Sequence, residues 1–370
     1  MKFSVRKKDF FQVLQRVSNV TPVRSTLPII SCILFTVKNE TLNMRSTDLE
    51  ITMSADCPVD VIEEGSIALP SRMLKDITGE LPDTLLHFEI QEEKVELTTE
   101  EGGKYSIMGF PANEFPSEPI VDDSKSVSLE ADKFARLVEK TGFAVSRDEM
   151  KAALTGVLFQ ISDTRLRAVS TDGHRLARFT LKEFKGSNDI ADIIVHPKFL
   201  NLCVSNLKDI DFVTLRIGRN HVMLELKNTT IYSRIIEERF PDYESVIPAN
   251  NDKKILVDID VLLSAVKRVG LFSSKNTRQI GFKFSGNKAL LTAEDMETSS
   301  RARETIPVEY SGEEFDIGFN SDYLREVIRH IDGDKAKLEF RDPLSAGLFF
   351  PDMQKDEEDI LFLLMPIRLI

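Results

Sequence analysis

The chain has 370 residues, 42% of them hydrophobic and 29% charged, with a formal net charge of −12. That supplies cores for two to three domains, and the acidic balance, taken alone, argues against nucleic acid as a partner unless one face carries the opposite sign. Three scattered cysteines, Cys32, Cys57 and Cys203, give neither a disulfide framework nor a C-x-x-C metal pair. No stretch approaches the roughly 18 apolar residues of a membrane span, and the charged start, Met1–Lys8, lacks a signal-peptide core. The expectation is a cytoplasmic protein with no membrane partner, no metal and no cofactor.

Phe3 opens a strand-like stretch, and Phe10 starts a helical pattern continued by Val13, Leu14 and Val17, which predicts a helix over 6–17. Ile33–Val37 alternates as a strand and runs into a turn at Lys38-Asn39-Glu40. Met73-Leu74 marks a second helix over 71–80. After a polar run over 118–125 the order restarts: Val127 opens a strand, and Phe134, Leu137, Val138 and Thr141 share one face of a helix over 132–141. Val157–Ile161 follows as a strand, and Phe199-Leu200 mark a helix over 197–208. A second polar run over 248–253 leads to the third start. Ile255 opens a strand, and Leu262, Ala265, Val266 and Val269 set a helix over 260–269. Ile280–Phe284, a turn at Ser285-Gly286-Asn287, and a helix over 321–331 with Tyr323-Leu324 complete the set.

This period of about 125 residues suits a whole domain and is too long for a solenoid unit. The repeats divide the chain into 1–125, 126–252 and 253–370. Ser46-Thr47-Asp48 recurs as Ser170-Thr171-Asp172, in register with Leu34-Phe35 and Leu158-Phe159. Two helices and several antiparallel strands per repeat make an α+β fold. Free sheet edges invite pairing, so the sheets are expected to run on from repeat to repeat, with the helices on one side. The apolar Ile360–Met365 reads as a final strand closing the third sheet. Met365-Pro366 then leaves the ladder, because proline cannot donate.

Charge is unevenly placed. Lys and Arg outnumber Asp and Glu in the six helical segments, while the rest of the chain carries the acidic excess. Basic helix formers could simply decorate solvated faces. Glu is an equally good helix former and goes elsewhere, so the pattern favours a helix-lined surface that attracts polyanion. There is no Trp, and no helix interleaves exposed aromatics with basic residues, so stacking on unpaired bases is not suggested. Lys and Arg reaching phosphates would bind duplex regardless of sequence.

At this point the residues resemble a known family, the bacterial DNA polymerase III β subunits or sliding clamps. The resemblance is carried by Met1-Lys2-Phe3, Thr26–Ile29, Ser170–Ala177, Arg239–Tyr243, Ile317–Asn320 and Met365–Leu369. It implies three clamp domains, each with two helices on antiparallel sheets, forming half of a six-domain ring closed by a head-to-tail homodimer. Helices about 10 Å wide, twelve to a ring, would leave a hole of about 28 Å. A duplex roughly 20 Å across would pass through. The implied function is a processivity factor that encircles double-stranded DNA. Its implied partners are the replicative DNA polymerase, the ATP-dependent clamp loader, translesion polymerases and mismatch-repair proteins.

The same resemblance implies the sites. Arg24 and Arg72 match positions that approach DNA, whereas Ala152 and Ala153 stand where some relatives have aromatics. A peptide cleft is implied at Leu154, Thr171, Gly173, His174, Arg175 and Leu176, at Pro241 and Val246, and at the tail residues Leu363, Leu364, Met365, Pro366 and Ile367. Met there suits varied partners, and each buried Leu-sized peptide anchor contributes roughly 1.5–3 kcal/mol. Ser245 stands where relatives often have a basic residue, and Ile370 extends the usual ending by one. The implied ring contact brings Lys104 and Tyr105 to Leu271 and Phe272 of the other copy, with Glu294, Asp295 and Glu297 nearby. Leu271 and Phe272 could equally be core residues of their own domain.

Two other classes are weighed against this one. A hydrolase centred on Asp172 and His174 would need those neighbours folded into a special turn, and no G-x-S-x-G, Walker A, H-E-x-x-H or G-x-G-x-x-G motif accompanies them. A sequence-specific DNA-binding regulator would need base-reading helices, and no helix-turn-helix spacing is present. The expectation is therefore a protein that is not an enzyme.

Overall fold

The computed structural model describes residues 1–122, 124–186 and 190–369. The first repeat runs β1 (Lys2–Arg6), α1 (Lys7–Ser18), β2 (Cys32–Lys38), β3 (Thr41–Thr47), β4 (Ile51–Pro58), β5 (Asp60–Glu63), β6 (Gly65–Pro70), α2 (Ser71–Glu80), β7 (Leu85–Gln91), β8 (Lys94–Thr99) and β9 (Lys104–Met108). The second runs β10 (Lys125–Glu130), α3 (Ala131–Thr141), β11 (Val157–Ile161), β12 (Leu166–Thr171), β13 (Arg175–Leu181), β14 (Ile193–Val195), α4 (Pro197–Ser205), β15 (Phe212–Ile217), β16 (His221–Leu226) and β17 (Thr229–Arg234). The third runs β18 (Lys253–Asp258), α5 (Ile259–Gly270), β19 (Gln279–Ser285), β20 (Lys288–Asp295), β21 (Ser300–Pro307), β22 (Phe315–Asn320), α6 (Ser321–Arg329), β23 (Lys335–Phe340), β24 (Gly347–Pro351) and β25 (Glu358–Leu364).

The helices form because their apolar residues share one face. Phe10, Leu14 and Val17 of α1 are fully buried, as are Phe134, Leu137 and Thr141 of α3, and Leu262, Ala265 and Val269 of α5 are nearly so. Side-chain caps fix two starts: Asp258 accepts the Val261 N–H, and Asn320 accepts those of Asp322 and Tyr323. The fourth helix stops at Ser205, short of the expected 208. There the Asn206 amide donates to the Leu202 carbonyl at 2.8 Å, and Asp209 takes a left-handed conformation (φ 61°). The sixth ends at Arg329 rather than 331, with the His330 N–H returning to Val327. In the strands, turn residues Asn39, Glu40 and Gly286 all have positive φ, as two-residue hairpins require.

The chain falls into two compact units. One comprises Met1–Ala131 with Asn201–Ile235, the other Asp132–Leu200 with Ile236–Ile370. The first holds a five-stranded sheet, β5-β1-β7-β8-β9, and an eight-stranded one, β10-β15-β16-β17-β4-β3-β2-β6. The second holds β14-β11-β12-β13-β25-β24-β23-β18 and the four-stranded β21-β20-β19-β22. The expected continuation of sheets from repeat to repeat is present: β17 pairs antiparallel with β4, and β13 with β25. The last strand corrects the sequence reading. β25 does not close the third sheet but lies inside an eight-stranded one, because its second edge is taken by β13 of the middle repeat.

Phenylalanines dominate the cores. In the first unit Phe3 stacks on Phe88 at 4.7 Å, with Phe10 and Phe35 packed around the pair. In the second, Phe282, Phe284, Phe315, Phe319, Phe340 and Phe349 pack as neighbours. All three cysteines are buried and free. Burial pushes the Cys32 and Cys57 thiols up to about 11, which leaves them unreactive at neutral pH.

Candidate peptide cleft, cationic surface and open strand edges

The recurring tripeptide is a folding device. Ser46 donates to the Val17 carbonyl at the end of α1 (2.6 Å), and Ser170 donates to the Thr141 carbonyl at the end of α3 (2.5 Å). Thr47 and Thr171 donate to the carbonyls of Ile51 and Arg175. Asp48 accepts the N–H groups of Glu50 and Ile51, and Asp172 those of His174 and Arg175. The left-handed position in this turn is Leu49 (φ 77°) in the first repeat and Gly173 (φ 92°) in the second, where glycine removes the strain. Asp172 spends its other oxygen on the Arg175 guanidinium at 3.1 Å. It therefore does not orient the His174 ring, and the pairing a hydrolase would need is absent.

That turn delivers the middle repeat's β13 against the tail's β25, with Arg175 opposite Leu364 and Leu176 opposite Leu363. Strand alternation then separates the expected cleft residues. Leu176 and Leu363 join one apolar cluster with Leu158, Val169, Ile194 and Tyr243, and Thr171 faces Leu176 across the ladder. Arg175 and Leu364 point to the other face, and Leu364 is fully buried. The Arg175 guanidinium lies over the rings of Phe143 (5.4 Å) and Tyr323 (4.7 Å), bonds the Phe143 carbonyl and pairs with Glu326. It pins the turn from behind. Leu154 is half-buried, while Pro241 and Val246 are exposed. Their chain neighbours Ala153, Phe240, Tyr243 and Ile247 pack on the Leu176–Leu363 cluster.

The tail leaves the ladder at Leu364, as expected from the proline. Met365 donates to the His174 carbonyl (2.8 Å) and is 41% exposed. His174 itself is exposed, its ring 6.0 Å from that of Tyr323. Beyond Pro366, the Ile367 N–H donates to the Gly318 carbonyl (2.7 Å). Leu369 settles over Gly281 and Gly318, which face each other across β19 and β22. A Cβ on Gly318 would lie 2.6 Å from the Ile367 oxygen and 2.7 Å from Leu369 Cδ2. Sequence reasoning used Ile317–Asn320 only as a family marker and missed this notch. It also missed that Phe115-Pro116 recurs as Phe240-Pro241, a repeat that flags both covering loops. Ser245 donates to the Asp242 carbonyl, and Ile370 lies outside the described residues.

Arg24 is exposed and forms no ion pair, and Arg72 is exposed with only a 3.8 Å approach to Asp76. Lys8, Arg16, Lys75, Lys267 and Arg329 also carry no ion pair among the described residues. The basic residues of α3 are different. Lys133 pairs with Glu357, Arg136 with Glu358 and Asp332, and Lys140, 2% exposed, with Asp332 at 2.6 Å. Burial pushes the Asp332 carboxyl up, but hydrogen bonds from Arg136 and Lys140 outweigh it and hold the group below its usual value. The helical surplus of positive charge is therefore not all available to a polyanion.

The outer strand β9 carries Lys104, paired with Glu96 at 2.9 Å, and half-buried Tyr105. Among the described residues it has no strand partner beyond β8, and β21 is likewise an outer strand. Leu271 is 83% and Phe272 42% exposed, so neither is a core residue of its own domain. Glu294 and Glu297 are exposed, whereas Asp295 is buried and accepts the Glu297 N–H.

Three family models match in succession: the N-terminal domain of the DNA polymerase III beta subunit over residues 1–119, its central domain over 128–242 and its C-terminal domain over 244–368. The beta sliding clamps of Pseudomonas putida and Pseudomonas aeruginosa are each 31% identical over the full length of both chains. The crystal structure of the Pseudomonas aeruginosa subunit beta superposes over all of both chains with a TM-score of 0.93 at 30% identity. A Bartonella birtlesii clamp bound to griselimycin does so with 0.95 at 27%. Nothing in these comparisons supports a hydrolase or a sequence-specific regulator. The chain belongs to the DNA polymerase III beta subunit family and is a DNA sliding clamp, a non-catalytic processivity subunit.

Proposed function

We propose that two copies close head to tail around double-stranded DNA, with β9 of each copy against β21 of the other. The observation that carries this is a junction used twice within one chain. In each case the last strand of a three-strand run (β17, then β25) pairs antiparallel with the third strand of a four-strand run (β4, then β13). The strands in the equivalent places left over are β9 and β21. Joining them makes a nine-stranded sheet, in which β5 flanks eight strands ordered by the same rule, and covers two edges that would otherwise invite unspecific pairing. Lys104, Tyr105, Leu271 and Phe272 form the apolar centre and its border, with Glu294 and Glu297 on a charged rim. Asp295 supports the rim from its buried turn.

In this reading the clamp domains are 1–125, 126–252 and 253–370. Arg24, Arg72 and the unpaired helical cations meet phosphates through weak, interchangeable contacts, and encirclement supplies retention. The cleft formed by Leu154, Thr171, Gly173, His174, Leu176, Pro241, Val246, Leu363 and Met365–Ile367 takes short apolar peptides, with Arg175 and Leu364 holding its floor from behind. Those peptides belong to the replicative polymerase, the ATP-dependent clamp loader, translesion polymerases and mismatch-repair proteins, in the cytoplasm.

The decisive experiment is sedimentation equilibrium of the intact chain, followed by retention on DNA after loading. The expected results are a two-chain mass, and protein that stays on circular duplex but is lost when the circle is cut. A monomer at high concentration, or equal retention on both DNA forms, would sink the ring. Tyr105→Asp should give monomers that fail to remain on circles.

A further inference from the structure

We propose that the cavity between the 238–244 loop and strands β11 and β12 is an additional subsite of the peptide cleft, one that receives an acidic side chain flanking the partner's apolar anchors. The proposal rests on the peptide-cleft reading and adds a charge preference to it.

The cavity has a volume of about 500 Å³, room for a side chain and the backbone that carries it. Its inner wall includes Leu158 and Ile194, members of the same buried cluster as Leu176 and Leu363. The cavity and the cleft therefore share apolar ground. They also share a loop: Pro241, assigned to the cleft, lines the cavity.

Its polar side is short of an acceptor. Arg167 is 9% exposed and lines the cavity. Its Nε donates to Thr180 (3.1 Å) and its Nη1 to Tyr243 Oη (3.0 Å) and Glu244 (2.6 Å), while Nη2 donates to nothing. A guanidinium has five N–H donors, and those of Nη2, which is not a buried atom, stay open to an incoming acceptor. The side chains of Arg165 and Arg239 line the same cavity and make no ion pair or hydrogen bond among the described residues. The nearby acids do not answer this need. Asp192 holds the Gln160 amide (2.8 Å), and Glu244 is already used by Arg167. Glu238 and Asp242, exposed like Arg165 and Arg239, line the same cavity and form no ion pair with any of its arginines among the described residues. A carboxylate entering beside Arg167 would find three guanidinium groups, and its methylenes would lie on Phe240 and Leu158. A free anion could use the first feature but not the shared apolar wall, which points to a residue of the bound peptide itself.

The test is fluorescence anisotropy on the full-length protein, using labelled peptides with leucine and phenylalanine anchors. Matched pairs carry Glu or Gln at each flanking position. At one position the Glu peptide should bind about tenfold tighter than its Gln twin. The preference should vanish in the Arg165→Ala/Arg239→Ala variant, whose two changes are exposed and spare the core, while Gln-peptide affinity stays unchanged. Equal binding of Glu and Gln twins at every position overturns the subsite and leaves the cleft standing, as does a preference that survives in the double variant. If no peptide binds at all, the cleft reading fails and takes this proposal with it.

Discussion

The two strand junctions, β17 on β4 and β13 on β25, share a backbone plan and differ in what covers it. In both, the residue following the ladder of β17 or β25 returns to the same place in the turn: Arg234 N–H to the Glu50 carbonyl (2.9 Å), Met365 N–H to the His174 carbonyl (2.8 Å). The cross-strand pair beside it is Tyr232 with Thr52 in the first junction and Leu363 with Leu176 in the second. The first is polar and closed largely by its own contacts, with only the buried Arg45 Nε left without a partner there. Arg45 there donates to the Pro116 carbonyl (3.1 Å) and pairs with Glu118, and burial beside Glu118 pushes the Tyr232 hydroxyl up. The second is apolar and bounded by the segment Met365–Leu369, which runs on to Gly318. On the proposed reading, a repeated scaffold becomes a binding site by exchanging one pair of side chains and one covering segment, with the backbone plan kept.

Breaking the second junction's cover should have the largest effect. Removing residues 366–370 deletes the Ile367 bond to Gly318 and the Leu369 contact with Gly281. Peptide binding and polymerase stimulation should be lost, with the two-chain mass retained in sedimentation. Full stimulation by the truncated protein would show that the cleft lies elsewhere. Gly318→Ala is a finer version of the same break. Its Cβ would meet the Ile367 oxygen and Leu369 at less than 3 Å, so the tail must shift. Peptide affinity should fall about tenfold, roughly the loss of one anchor contact, and Leu369→Ala in the same background should cost little more. An additive loss would place the two residues in separate effects. Leu176→Thr copies the first junction's residue into the second. Trimming this buried leucine should cost about 2–3 kcal/mol in urea unfolding, with a smaller drop in peptide affinity than the glycine change.

Much of this was legible before the fold was known, for physical reasons that also mark where legibility stopped. The helix-face sets, such as Phe10, Leu14 and Val17, follow from local periodicity, and all three are buried. The Ser-Thr-Asp turn was visible because each of its bonds lies near in sequence or is set by one helix end. The side of the sheet to which Arg175 points was not legible, since a family match gives a position without an orientation and strand alternation then places neighbours on opposite faces. The pairing of α3's cations was hidden for a different reason: Arg136 and Lys140 find Glu358 and Asp332 about 200 residues away, which no local pattern encodes. The glycine notch was equally invisible, because Gly281 and Gly318 mean something only when Leu369 is laid across them.

A last, smaller difference between the two junctions should appear with pH. Behind the second turn, His330 stacks on Phe143 (ring centroids 3.9 Å apart) and bonds the Glu326 carbonyl. Burial holds its pKa below the ordinary 6.5, and the Lys140 charge pushes the same way, against the Glu326 carbonyl bond and the weaker pull of Glu139 and Glu326. With the native value depressed, the unfolded chain takes up the proton first. The contribution of His330 is then complete above about pH 6.5 and is lost as pH falls toward the native value. Asp332, held below its usual range, adds its own loss only at lower pH, so the two windows separate. Hydrogen exchange corrected for intrinsic rates should therefore show protection of β12 and β13 amides falling between pH 7 and pH 5.5, while β3 and β4, whose turn lacks a histidine behind it, hold theirs. His330→Gln should flatten the first profile. An equal fall in both junctions, or a fall that persists in His330→Gln, would assign the sensitivity to general charge rather than to this ring.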